Sequence, residues 1–153
     1  MVTQEQFEIL LPLAAAWAEE QESIILRDGE ALTDEQMTYA RALKIGNPEK
    51  IRLLEVTTIP LPEEPSLRGV AQTTQLISPL TAGLTLNYGI FIRSDRWGDI
   101  KLVVHELVHT LQYERLGGIM PFLQQYLYEC ITIGYPAAPM EQEAVTTAEK
   151  LIC

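Results

Sequence analysis

Histidine is almost missing from this chain, with 2 in 153 residues. Basic residues are scarce too, 11 against 21 acidic ones, for a formal charge of -10. No Lys/Arg cluster is present to neutralise phosphates, which excludes nucleic acid as an expected partner and leaves solubility as the plain role of the acidity. Cysteine occurs twice, at Cys130 and Cys153, without a CxxC pair. That count argues against a disulfide framework and suits a reducing cytoplasm. No apolar run approaches the roughly 20 residues that a bilayer span needs. The apolar stretch from Ile9 to Ala16 follows Glu5 and Glu8 and has no positive residues ahead of it, so it reads as part of a first helix and not as a signal peptide. The expectation is a soluble cytoplasmic protein with no membrane and no nucleic-acid partner.

What is present suits a folded globule. Apolar residues make up 47% of the chain and charged ones 21%, and the length fits one domain over residues 1–153. Apolar residues recur at helical spacing from Thr3 to Arg27, with Pro12 as an irregularity and Asp28-Gly29 as the stop. Thr33-Asp34-Glu35-Gln36 has the capping-box form and opens a second helix to Ile45. Lys50 to Ile59 reads as a strand, and the three prolines between Pro60 and Arg68 predict an extended connection without regular structure.

"GLTLNYGIFIRSD", Gly83 to Asp95, predicts one long strand or a hairpin. Its alternation puts Leu84, Leu86, Ile90 and Ile92 on one face and Thr85, Asn87, Phe91 and Arg93 on the other. Gly89 inside it marks a bulge or a close backbone approach. Asp99 caps a helix over Ile100 to Leu116 that Gly117-Gly118 stops. Pro121 suits the first turn of a helix through Ile131, and a last helix covers Met140 to Leu151. The fold class is therefore α+β, mostly helical, with a small mixed or antiparallel sheet.

Both histidines lie in one segment, "HELVH", at His105 and His109. Four residues on an α-helix turn the chain by about 400°, so the two imidazoles point the same way one turn apart. That spacing grips one metal ion with two nitrogens, and Glu106 between them can reach a water on the metal without binding it. Ile100, Val103, Val104, Leu107, Val108 and Leu111 make the rest of the helix apolar. Burying two histidines and a glutamate there is costly without a partner, and a cation supplies one.

A catalytic zinc takes a third protein ligand. Gln112 and Arg115 stand where a metzincin would continue towards a third histidine, so that branch is excluded. A carboxylate is expected, with Cys130 or Cys153 as the other choice. On the last helix Glu141 shares a face with Ala144, Val145 and Ala148, whereas Glu143 sits about 200° away. Glu141 is the chosen ligand and Glu143 the alternative. Gln112, one turn after His109, is a candidate for a hydrogen bond that holds a ligand or a loop.

These residues resemble the HExxH zinc metallopeptidases, the zincins, in their gluzincin form. "EQEA" at 141 to 144 is similar to the E-x-x-A motif of that group. "HELVHTLQYERLG", "FLQQYL" and "PMEQEA" together resemble small bacterial metallopeptidase domains over about Gly83 to Ala148. The resemblance implies a minimal zincin-like domain with His105, His109 and Glu141 as ligands of Zn2+ and Glu106 as general base. It also implies that the strand before the HExxH helix is a sheet edge that pairs with extended substrate. Tyr135 is the candidate oxyanion donor. The function implied is zinc-dependent hydrolysis of a peptide or protein substrate; the alternative is a metal-stabilised binding or scaffold domain with little or no catalysis.

Overall fold

Thr3 closes a capping box with Gln6 and starts the longest helix, α1 (Gln4–Asp28), which runs through Pro12 without a break. The computed structural model describes residues 2–135 and 137–152. After α1 come β1 (Glu30–Ala31), α2 (Asp34–Ala42), β2 (Arg52–Val56), α3 (Pro65–Thr73), β3 (Gly83–Leu86), β4 (Gly89–Arg93), α4 (Ile100–Leu116), α5 (Ile119–Thr132) and α6 (Pro139–Ile152). The strands form one mixed sheet in the order β1-β2-β4-β3. β2 and β4 are parallel, and the two outer pairings are antiparallel. The fold is α+β and mostly helical, as expected, but the strand directly before α4, β4, is paired on both sides by β2 and β3, and the sheet edge is β3, one strand earlier in the chain.

Three expectations about local structure need correction. Helix α2 ends at Ala42 and not at Ile45: Lys44 takes a φ of 64°, and the chain turns so that the amides of Gly46 and Asn47 donate to the Glu114 carboxylate at 2.6 and 3.0 Å. The proline-rich connection is not extended throughout. Pro65 opens α3, because a first helical position needs no N–H, and the Glu64 carboxylate accepts from the amide of Leu67 at 2.7 Å.

The third correction concerns the faces of the hairpin. Asn87, at a φ of 63° that asparagine tolerates, and Tyr88 form a two-residue turn. Leu86 then pairs with Gly89 and Leu84 with Phe91. Paired residues share a face, so counting straight through the turn reverses the parity. Leu84, Leu86 and Phe91 point to one side, and Thr85, Ile90 and Ile92 to the other. Gly89 marks a close approach: a Cβ there would lie 2.9 Å from Cβ of Ile25 on α1.

The sheet is covered on both faces. Leu86 and Phe91 join a core with α1, α3 and α5, and Ile90 and Ile92 join a second with α2, α4 and α6. Among the helix pairs, α4 and α6 pack together most extensively. Gly117, at a φ of 104°, ends α4 and lets the chain reverse into α5. No helix among the described residues is long and apolar enough to cross a membrane.

Candidate metal centre

Helix α4 is capped by Asp99, whose carboxylate accepts from the amide of Leu102 at 3.1 Å. Its buried valines and Leu107 press against the sheet and α6, which fixes the rotation of the helix. The four-residue spacing then sets the rings of His105 and His109 5.1 Å apart, centroid to centroid, facing α6. Helix α6 is located by a buried acid: Oε1 of Glu129 on α5 accepts from the amide of Met140 at 2.8 Å. One residue on, Glu141 projects between the two imidazoles. Its Oε1 lies 2.7 Å from Nε2 of His105 and its Oε2 lies 3.1 Å from Nε2 of His109.

These three side chains bring their ligand atoms within 4.8 Å of one another. Among the described residues the group holds Glu141 and neither Glu143 nor Cys130. Cys130 is buried nearby, and burial first, then the field of Glu141, pushes its thiol up to about 12. Cys153, the other sulfur considered, lies outside the described residues. Glu143 turns to α4, where Arg115 grips it at 2.7 and 3.1 Å and holds its carboxyl below the usual range.

Gln112 decides the tautomer of His109. Its amide nitrogen donates both protons, to the carbonyl of Met140 at 2.9 Å and to Glu143 at 2.7 Å. Its Oε1, 2.8 Å from Nδ1 of His109, can therefore only accept. Nδ1 carries the proton, and Nε2 presents a lone pair to a carboxylate that also accepts from the Tyr126 hydroxyl at 2.9 Å. A lone pair facing a carboxylate at that distance needs a positive species between them, a proton or a cation. Burial opposes protonation of His109, but Glu141 outweighs burial and raises its affinity for protons. Glu141, which burial alone would push up, is held well below the usual carboxylate range by the two histidines.

The donor set fits a zinc-type ion. One ligand atom from each of the three residues lies within 4.8 Å of the other two, and such ions take nitrogen and oxygen ligands at about 2.0–2.2 Å. Two imidazoles and one carboxylate are the donors that such an ion takes.

Glu106 is buried on the flank of this trio. The Thr85 hydroxyl lies 2.7 Å from its Oε1 and 3.0 Å from its backbone carbonyl. Its other oxygen rests against Gly83, where an added Cβ would stand 3.0 Å from both Cγ and Oε2. Tyr135 is half-buried and lines the same cavity as Glu106, His109 and Glu141. Burial, then the fields of Glu141 and Glu106, raises its pKa and keeps it a neutral phenol.

Thr85, Gly83, Tyr126, Glu129 and Arg115 also shape the site and are not among the residues that the sequence singles out. Each acts across elements distant in sequence, and their residue types carried no signal of it. Gln112 is the exception, since its place one turn beyond His109 pointed to the bond it makes. No family model, curated protein or solved structure matches this chain.

Proposed function

We propose that the chain is a zinc-dependent peptide hydrolase in which His105, His109 and Glu141 hold the ion. The observation that carries this reading is the convergence of one ligand atom each from His105, His109 and Glu141 within 4.8 Å of one another, beside the buried Glu106. When bound, zinc supplies Lewis acidity, lowering the pKa of a water to about 7 and polarising a carbonyl. With Oε1 of Glu106 held by Thr85, Oε2 is the atom that takes the proton of the attacking water and returns it to the departing amine. Tyr135, kept as a phenol, donates to the oxygen on which negative charge develops.

The outward backbone of Gly83 on the edge strand β3 supports a peptide as substrate. The amide of Arg93 bonds the carbonyl of Ala82 at 2.8 Å, so on the antiparallel ladder residues 82, 84 and 86 bond inward to β4 and residues 83 and 85 point outward. The outward carbonyl of Thr85 accepts from the Tyr113 hydroxyl at 3.1 Å, and Gly83 is left to pair with an extended chain. Cys130, a free buried thiol, suits the reducing cytoplasm that we propose as its compartment.

The second reading, a metal-stabilised binding domain, draws support from the way the trio joins α4 to α6 and so would staple the protein. The Glu106→Gln variant separates the two. Retained zinc with loss of cleavage across a peptide library supports hydrolysis; no cleavage by the zinc-loaded native chain supports the staple.

A further inference from the structure

Beyond Glu106 the centre opens into a cavity of about 100 Å³ that the hydrolytic residues do not account for. Its walls come from α1, α3, β3 and α5, and one end is formed by Glu106, His109, Glu141 and Tyr135. Away from that end the lining is apolar, with Phe7, Leu10, Trp17, Leu67, Leu84 and Leu127 among it, and it contains no Lys or Arg. A water takes about 10–15 Å³ of such space, so this volume admits roughly seven to ten water-sized groups, enough for one large side chain. A group that extends from the polar end meets nothing that could neutralise a charge, so a carboxylate or an ammonium would be left desolvated. The outward-facing backbone of Gly83, itself part of the wall, can pair with the amide groups of a peptide and has no counterpart in an acyl chain.

We propose that this chamber is the specificity pocket of the site and takes a bulky apolar side chain, of the Leu, Phe or Met kind, from the peptide residue beside the bond on which Glu106 acts. The proposal rests on the hydrolase reading. It also gives the first half of the chain a role, since α1 and α3 supply walls that the metal-binding helices lack.

Trp17 in the wall provides the test. The other tryptophan, Trp97, stands outside the chamber and is partly exposed, so Trp97→Phe leaves Trp17 as the single reporter. Neutral peptides of the form acetyl-Gly-X-amide are titrated into that variant with and without zinc while Trp17 emission is followed. The expected result is saturable binding for X = Leu or Phe, tighter than for X = Ala by about tenfold or more, and none for X = Asp or Lys. Ala71→Phe, which fills the chamber from α3, abolishes the response at unchanged zinc content. Ala14→Leu repeats the test from α1 if that variant does not fold.

Equal binding of the charged peptides, or unchanged affinity in both filled variants, overturns the proposal. Decanamide binding more tightly than the Leu and Phe peptides overturns the peptide assignment in favour of an acyl chain. Apolar-selective binding without cleavage keeps the pocket and removes the hydrolase reading, whereas cleavage without apolar selectivity does the reverse.

Discussion

Oε1 of Gln112 accepts a hydrogen bond from Nδ1 of His109 at 2.8 Å, and that contact commits the other ring nitrogen to face Glu141. A ligand ring held in this way keeps its tautomer and its orientation. Replacing Gln112 with Leu removes the acceptor while leaving the ligands in place. The expected effect is a loss of zinc affinity on the order of 10–100-fold, read by competition with a chromophoric chelator. Unchanged affinity would mean that Gln112 serves only to tie α4 to α6.

Gly83 sits where any larger residue would press on Glu106. Gly83→Ala places a methyl 3.0 Å from Oε2 and Cγ of Glu106, tighter than ordinary van der Waals contact, so the carboxylate must shift. Misplacing a reacting group by about 1 Å costs up to about 100-fold in rate, and the shift needed here is smaller, so cleavage falls by up to about tenfold. Zinc content stays at the native level. Steady-state kinetics alongside metal analysis checks both halves of this expectation.

Glu129 fixes the start of α6 through the amide of Met140, eleven residues further along the chain. Glu129→Ala leaves that buried amide unpaired and costs about 1–3 kcal/mol. Thermal unfolding should show a lower Tm. Zinc binding weakens as well, because Glu141 follows Met140 directly.

Glu114 makes one contribution to stability dependent on pH. Burial pushes its carboxyl up, but the Tyr88 hydroxyl and the amides of Gly46 and Asn47 outweigh burial and hold it below its ordinary value of 4.5. A carboxylate depressed by folding stabilises above its unfolded pKa and loses that contribution as pH falls through the folded one. Denaturant unfolding from neutral pH downward should therefore show the native chain losing stability below about pH 4.5 more steeply than Glu114→Gln. Parallel curves for the two proteins would remove Glu114 from the acid response.

The features that could be read from sequence are those set by local periodicity. The limits of α4 follow from Asp99 and Gly117, and the shared direction of His105 and His109 follows from their spacing. The inward face of Glu141 follows from Ala144 and Ala148, both of which are buried. The misreadings arose where one local rule competed with another. Pro65 breaks an extended strand yet begins a helix well, and the turn at Asn87 exchanges the faces that simple alternation assigns. Thr85 against Glu106, Tyr126 against Glu141 and Glu129 against Met140 are contacts between separate elements. They exist only once α4, α5, α6 and the sheet have packed.

Whether His105, His109 and Glu141 hold a zinc ion is read from metal analysis of the intact protein by native mass spectrometry. Protein purified without chelators should carry one zinc per chain, lost in Glu141→Ala and retained in Glu143→Ala. Native protein that carries no zinc and takes none up on addition of excess zinc, or a Glu141→Ala variant that keeps its zinc, would mean that these three residues are not a zinc site.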